Sequence, residues 1–306
     1  MTGKGCFVAT MCIFYLMTVN NDIAKSLLSQ FACSVSVNIL TYVKINCERD
    51  QPSMKIIISP AKKMNQDADS FDCHGLPQLL PQTQRLYQQL CSMSYTELKR
   101  LWCCNDQIAT LNYERLQKMD LHRNLTPAVI SYEGIQYRYL APSVLTDKEL
   151  AYLEENLRIL SGFYGILRPF DGVTPYRLEM QAKLSVDGCR NLYEFWGDTI
   201  AQSLFSETDT IVNLASKEYS RCISNYLPKH IKFLTCIFGE LQEDKVVEKG
   251  TKCKMMRGEM VRYMAEKQIK HFKELQAFER LGYRFSPQRS DETTYVFLKH
   301  NQTDDI

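Results

Sequence analysis

The order of apolar and polar positions after residue 54 predicts alternating strands and helices. Two short runs rich in β-branched residues, at residues 55–59 and 210–216, predict buried strands. Residues 128–134, with the sequence AVISYEG, also predict a strand, which ends at its glycine. Towards the carboxyl terminus the pattern predicts an antiparallel strand pair and two closing strands: IKFLTCIFGEL with KVVEKGTKC, then YRFS and TYVFLKH.

Helical periodicity follows polar residues that commonly cap helices. Residues 94–97 and 146–149 have the form of capping boxes, and Asn105 and Asn191 suit two further helix starts. Behind two of these caps, apolar residues recur at helical spacing and predict one continuous helix each: Leu150, Leu153, Leu157 and Leu160, then Leu192, Phe195, Trp196, Ile200 and Leu204. Two later helices are predicted over KEYSRCISNYL and KMMRGEMVRYMAEKQI.

Together these elements predict one domain over residues 54–306. Its class is α+β, a mixed α/β domain in which helices flank a partly antiparallel central sheet. The sequence contains no internal repeat and no low-complexity linker that would divide it.

The first 53 residues follow a different pattern. Residues 6–19 form an apolar stretch of 14 residues, which is short for a membrane-spanning helix. The polar residues behind it offer no convincing signal-peptide cleavage site. We expect residues 1–53 to be an extension outside the fold, translated from a start placed too early. A signal or membrane anchor and a genuine structural addition are the alternatives.

The net charge and the spacing of cysteines and histidines argue against a broadly basic nucleic-acid-binding protein and against a metalloprotein. The formal net charge is +2, and residues 54–306 carry 33 basic and 32 acidic side chains. A polyanion must therefore be met by a local patch. The 12 cysteines form no C-x-x-C pair and the five histidines have no i, i+4 partner. We expect reduced thiols in a cytoplasmic protein, with no metal site, no cofactor and no membrane contact.

Two predicted strands end in residues that suit an anion. Lys62 follows the first strand, and Ser216 and Lys217 follow the strand at residues 210–216, where the next helix begins. Loops at strand ends are common ligand sites in α/β sheets, and a helix amino terminus favours negative charge. The alternative is that Ser216 only caps the helix and the lysines are solvated.

Residues 161–180, SGFYGILRPFDGVTPYRLEM, are the segment densest in turn-forming and charged residues. Its start is similar to the glycine hairpin of helix-hairpin-helix elements, which present backbone N–H groups to phosphate. Arg168 and Arg177 on such a loop suit phosphate or carboxylate. An arginine network with Glu179 is the alternative. Further on, Lys254 and Arg257 share a helix face, whereas Arg262 points elsewhere.

The motifs IIISPAKKM, LRILSGFYGILRPFDGVTPYRLEM, LYEFWGD, IVNLASKEYSRCI and RGEMVRYM occur in the order seen in the YaaA family of bacterial peroxide-stress proteins. The chain resembles that family from Met54 to about Lys299. The resemblance implies a cytoplasmic protein with a positively charged cleft. It also implies that the protein limits unincorporated iron and protects DNA and proteins, and that it binds DNA through a helix-hairpin-helix-like element. It brings no accepted enzymatic reaction. One departure is Lys254-Met-Met-Arg257, where family members often have a further basic residue.

The residues that match the family motifs are candidates for the site by that resemblance. They are Ser59, Pro60, Lys62, Arg168, Pro169, Tyr176, Arg177, Glu179, Trp196, Asp198, Asn213, Ser216, Tyr219, Arg257 and Gly258. We expect the cleft to be lined by the cations Lys62, Arg168, Arg177, Lys217, Lys254 and Arg257.

Three hypotheses about function remain open at this point, and none involves a protein partner. The first is a peroxide-stress protein that binds DNA or a phosphate-bearing small molecule. The second is an enzyme acting on a small anionic or nucleotide-like substrate, motivated by Glu179, Asp198 and Glu218 beside cations, with polar groups supplied by Asn213, Ser216 and Tyr219. The third is direct handling of iron, against which the scattered histidines and cysteines argue. A broad, uniformly positive groove would favour DNA, whereas a narrow pocket holding Glu179 or Asp198 with Arg177 would favour the small substrate.

Overall fold

The computed structural model describes residues 54–67 and 69–300. The predicted extension at residues 1–53 lies outside the described residues. The strands are β1 Lys55–Ile58, β2 Lys63–Met64, β3 Thr126–Pro127, β4 Tyr132–Glu133, β5 Leu157–Ser161, β6 Gly165–Leu167, β7 Gly172–Val173, β8 Thr210–Leu214, β9 Lys232–Gln242, β10 Lys245–Val247, β11 Glu279–Arg280, β12 Tyr283–Phe285 and β13 Thr294–Lys299.

Helices pack around these strands. They are α1 Leu80–Cys91, α2 Tyr95–Trp102, α3 Asp106–Gln117, α4 Ala128–Ser131, α5 Ile135–Leu140, α6 Asp147–Asn156, α7 Leu192–Trp196, α8 Thr199–Phe205, α9 Lys217–Ser224 and α10 Gly250–Lys267. Short 3₁₀ turns cover Pro142–Val144, Phe272–Ala277 and Pro287–Arg289. None of the helices in the described residues combines the length and apolar character needed to cross a bilayer.

The central sheet confirms the predicted mixed architecture. Its order is β11-β12-β13-β9-β8-β1-β5-β6, with β10 added beside β9. The inner pairs β5–β1, β1–β8, β8–β9 and β9–β13 are parallel, and the outer pairs are antiparallel. Ile56, Ile57 and Ile58 of β1 are fully buried, as expected for an inner parallel strand.

The chain reverses its direction of travel across the sheet at β1. From β1 it passes to β5 on one side, then returns to β8 on the other side and continues to β9. The carboxyl ends of β1 and β8 therefore form a topological switch point. In open α/β sheets such a point leaves a crevice where ligands commonly bind.

Four sequence predictions of secondary structure are wrong in detail. The strand predicted over residues 245–253 ends at Val247, because α10 begins at Gly250. Residues 128–131 form the short helix α4, and only Tyr132–Glu133 are extended. The helix predicted through Leu160 ends at Asn156, because Leu157–Ser161 pair with β1 and complete the buried sheet. The helix predicted from Leu192 to Leu204 breaks at Gly197, which has a φ of 48°.

The glycine hairpin at residues 161–167 is not a helix-hairpin-helix element. Strands β5 and β6 pair there as a tight antiparallel hairpin, and all its residues are buried. Buried backbone groups cannot be presented to a nucleic acid, so this hairpin supports the core. A pair of helices joined by a short turn lies elsewhere, in α2 and α3.

Candidate functional site

A cavity of about 410 Å³ opens at the carboxyl ends of β1 and β8, and we call it the central cleft. Its position is the switch point of the sheet, where ligand sites commonly occur. The cleft is lined by Ser59, Pro60, Ala61, Lys62, Lys63, Glu133, Gly134, Ile135, Gln136, Tyr137, Tyr176, Arg177, Leu178, Glu179, Ser216, Glu218, Tyr219, Lys254 and Arg257.

Two serines join the strand ends at the floor of the cleft. Ser59 follows β1, and its hydroxyl oxygen accepts a hydrogen bond from the backbone N–H of Ser216 at 2.8 Å. The Ser59 hydroxyl also donates to the Ser216 hydroxyl at 3.2 Å. Ser216 precedes α9, yet its side chain makes no capping bond to that helix. The interpretation of Ser216 as a simple cap is therefore wrong, because its hydroxyl faces Ser59.

Glu179 lies between two cations on one wall of the cleft. Its Oε1 atom is 3.3 Å from an Arg177 Nη atom and 3.4 Å from Lys62 Nζ. The side chains of Arg177 and Glu179 are only 10% and 13% exposed, whereas that of Lys62 is 66% exposed. The sequence hypothesis of an arginine network with Glu179 is thus confirmed for Arg177, and Lys62 joins it from the rim.

Three N–H donors in the cleft lack an acceptor among the described residues. They are Arg177 Nε, Arg257 Nε and Gln136 Nε2, each buried as an atom and without a hydrogen bond. Gln136 as a residue is 6% exposed. A buried donor left unpaired costs about 1–3 kcal/mol, and such groups are uncommon in folded proteins. Because all three residues line the same cavity, the site suits a ligand with acceptor oxygens.

Close packing of two helices places Gln136 and Arg257 in the same cleft. Gly258 of α10 lies against the backbone of α5, where a Cβ atom would overlap the carbonyl oxygen of Gln136. Met256, Met260 and Met264 of the same helix are buried, which confirms them as core residues. Gly258, a family-motif residue, therefore allows the two helices to approach each other closely.

Acidic groups make the charge of the cleft mixed. Glu218, in the first turn of α9, accepts a hydrogen bond from the backbone N–H of Gln181 at 3.3 Å. Burial raises the pKa of its carboxyl, and the nearby charge of Glu179 adds to that effect. At the rim, Lys63 pairs with Glu133 at 2.7 Å, and Lys254 is exposed.

The tyrosines of the cleft are structural hydrogen-bonding groups. The Tyr176 hydroxyl lies 2.7 Å from the Ser161 hydroxyl and 2.8 Å from the Tyr132 hydroxyl. Burial raises the pKa of Tyr176 and of Tyr219 well above the usual value, so both stay neutral. The Tyr137 hydroxyl donates to the carbonyl oxygen of Ser59 at 2.9 Å and holds the first strand end.

Four of the cations and polar groups predicted to contact a ligand lie outside the central cleft, and the motif residues Pro169, Trp196 and Gly258 do not line it either. Asp198 is exposed at the start of α8 and accepts a bond from Gln202, and Lys217 is exposed on α9. Asn213 is buried in β8, where its Oδ1 accepts the N–H of Ala215 at 3.0 Å and shapes the turn before Ser216.

Arg168, the fourth, lies at the opposite end of the sheet, because β6 runs antiparallel to β5. There it lines a second cavity of about 470 Å³ with Lys55, Glu154, Glu155, Arg158 and Glu207. Its backbone N–H donates to the carboxylate of Asp171 at 2.8 Å. Burial raises the pKa of Asp171 to about 6.

Sequence reasoning missed several cleft residues, of which Gln136 is the most informative. The segment EGIQYRYL carried no catalytic or binding motif, and Gln136 enters the cleft only because α5 packs on α10. Arg262, predicted to serve another site than Arg257, pairs with Glu266 at 2.8 Å and does not line the cleft. Within residues 54–67 and 69–300, no group of three or more histidine, cysteine, aspartate or glutamate residues suits a metal ion.

Comparison with known proteins covers the same part of the chain. A family model described as peroxide stress protein YaaA matches residues 54–289. The chain is 56% identical to a UPF0246 protein of Desulfitobacterium hafniense over 246 residues, which cover 80% of this chain and 98% of that protein. It is 53% identical to a UPF0246 protein of Lachnoclostridium phytofermentans, covering 80% and 96%. This chain therefore belongs to the YaaA family, UPF0246, whose description supports a general role in peroxide stress.

Proposed function

We propose that the protein serves the peroxide-stress response by binding a small phosphate-bearing organic molecule in the central cleft. The cleft lies at a switch point of the sheet, and its volume of about 410 Å³ falls within the range of small-molecule sites. A cytoplasmic location remains a prediction.

The observation that carries this proposal is the set of unpaired buried donors. Arg177 Nε, Arg257 Nε and Gln136 Nε2 belong to residues that line one cavity, and they have no acceptors among the described residues. Arginine matches phosphate oxygens in geometry as well as charge. A phosphate that accepts from these groups would remove three desolvation penalties at once.

The acids in the cleft favour a small ligand over duplex DNA. Glu179 and Glu218 lie beside the cations and repel each of the many phosphates of a duplex, whereas a small ligand brings only one phosphate to the cleft. A narrow pocket that holds Glu179 with Arg177 was the sequence criterion for an enzyme acting on a small anionic substrate. The same pocket places a carboxylate where an acid–base reaction on the ligand would need it.

DNA binding remains the second candidate, supported by the cations at the rim. Lys62 and Lys63 have side chains that are 66% and 70% exposed, and Lys254 is exposed nearby. Limitation of unincorporated iron belongs to the proposal as an indirect consequence of ligand binding.

The test is titration of the full chain with adenosine 5′-monophosphate and, separately, with a duplex of 20 base pairs, in low and physiological salt. We expect saturable binding of the nucleotide at one site, weakened about tenfold or more in Arg177→Met by the loss of a charged hydrogen bond. Asp198→Asn, outside the cleft, serves as the control and keeps the wild-type affinity. Binding of the duplex alone, with a steep loss in salt, would favour the DNA candidate.

A further inference from the structure

We infer that the phosphate-bearing ligand carries its own hydroxyl or amino donor close to the phosphate, and that Glu179 binds this donor. The inference rests on the proposed function and specifies the ligand class of the same site. It assigns to Glu179 the role of a specificity-determining residue.

The inner oxygen of Glu179 has two cations beside it at ion-pair distance. Glu179 Oε1 is buried and makes no hydrogen bond within the described part of the chain. Its cationic neighbours, Arg177 and Lys62, are 3.3 and 3.4 Å away. Charge-assisted N–H···O bonds are normally about 2.7–2.9 Å long, so these ion pairs do not satisfy the oxygen. An ionised carboxylate accepts about four hydrogen bonds in total.

Buried donors that lack an acceptor belong to residues of the same cavity. Arg177 Nε, Arg257 Nε and Gln136 Nε2 are donors without acceptors among the described residues. Among the described residues, the buried cleft atoms without a hydrogen bond are thus three donors and one acceptor oxygen, beside further carboxylates such as that of Glu218. A complementary ligand supplies several acceptor oxygens together with at least one N–H or O–H group.

A second carboxylate strengthens this requirement. Glu218 lines the same cleft and is close enough to Glu179 for their charges to interact. Two acids beside the phosphate site weaken the binding of an anion that has no donor. The phosphodiester backbone of duplex DNA has no N–H or O–H group, whereas a phosphorylated sugar, a nucleotide or an amino phosphate has one. The chemistry of the cleft therefore selects the latter class.

The experiment compares three phosphate monoesters of similar size by NMR titration of the full chain at pH 8, where each phosphate is dianionic. Ethyl phosphate has no donor, 2-hydroxyethyl phosphate adds a hydroxyl, and 2-aminoethyl phosphate adds an ammonium group. We expect the aminoethyl ester to bind about tenfold more tightly than the ethyl ester, as one charge-assisted hydrogen bond would give.

The variant Glu179→Gln is expected to change the affinities for the aminoethyl ester and for the ethyl ester in opposite directions. The aminoethyl ester should bind more weakly, because its ammonium group loses a carboxylate partner. The ethyl ester should bind as well as before or better, because a repelling charge is gone. Glu133→Gln removes an equal charge at the rim, where Glu133 pairs with Lys63. We expect it to change all three affinities by a similar factor.

The outcomes separate this inference from the proposal on which it rests. Failure of all three esters to bind the wild-type chain would overturn both. Equal binding of the three esters to the wild-type chain would overturn the role of Glu179 alone, and this comparison needs no variant. A uniform shift of all three affinities in Glu179→Gln would do the same, since a merely structural role moves every ligand alike.

Discussion

Gly258 packs directly against the carbonyl oxygen of Gln136, with no room for a Cβ atom between α10 and α5. This contact sets how far Arg257 and Gln136 lie from each other across the central cleft. A residue without a side chain thus fixes the geometry of Arg257 Nε and Gln136 Nε2, which have no hydrogen bond among the described residues. Glycine is required at position 258 because there is no space for a side chain. The backbone conformation does not require it, since Gly258 lies in the regular helix Gly250–Lys267.

Gly258→Ala is expected to destabilise the protein by about 2 kcal/mol, because the added methyl group forces the two helices apart. The nucleotide affinity of the cleft should fall with it. Chemical denaturation and ligand titration would measure both effects. Gly250→Ala is the matched control at the start of the same helix, where nothing lies within 4 Å of the new atom. An equal loss in both variants would contradict the packing explanation.

Gln136→Met should separate stability from binding. The substitution replaces an unpaired buried amide by an apolar side chain of similar size, so the free energy of unfolding should stay equal or rise by about 1 kcal/mol. Phosphate binding should weaken at the same time, because one donor is lost. Thermal unfolding with and without adenosine 5′-monophosphate measures both quantities. A destabilised variant with unchanged binding would show that the amide has a structural role instead.

Asp171 predicts a dependence of stability on pH. Burial raises the pKa of its carboxyl in the folded protein from an ordinary value of 3.8 to about 6, against opposing effects of the Arg168 backbone and side chain. The charge of Glu154 raises this pKa further, and that of Arg158 lowers it. Because the folded state binds the proton more tightly than the unfolded state, stability falls as the pH rises between about 4 and 6.

Asp171→Asn should remove this loss, which amounts to about 3 kcal/mol at most for a shift of about two units. Denaturation at a series of pH values tests this prediction, through the difference in the free energy of unfolding between the variant and the wild type at each pH. Asp198→Asn, an exposed position, should keep the wild-type profile. A difference profile that stays flat from pH 4 to 6 would refute the explanation.

Lys62→Ala and Lys217→Ala form a matched pair for a test in cells. Both lysines follow strands of the central sheet, but only Lys62 lines the cleft and contacts Glu179. Losing an exposed ion pair costs about 0.2–1 kcal/mol, so both variants should remain folded. In a strain that depends on the protein, peroxide survival should fall with Lys62→Ala and stay normal with Lys217→Ala. The reverse result would remove Lys62 from the site.

Local sequence determined the features that depend on a few neighbouring residues. The strands at residues 55–58 and 210–214 were predicted, because runs of β-branched apolar residues favour buried extended structure. The capping box of Ser94 and Glu97 and the cap at Asn105 formed as expected. The strand ends also pointed to Lys62 and Ser216, which both line the central cleft, since carboxyl ends of parallel strands meet at one edge of a sheet.

Tertiary structure decided which of the candidate residues share a site. Leu157 and Leu160 continue a helical spacing, yet pairing with β1 makes them a strand. The antiparallel return of β6 carries Arg168 to the far end of the sheet, away from Arg177. Gln136 reaches the cleft only through the contact of α5 with Gly258. Sequence thus determined the candidate strand ends, whereas long-range packing selected the partners, because contacts between distant segments leave no local pattern.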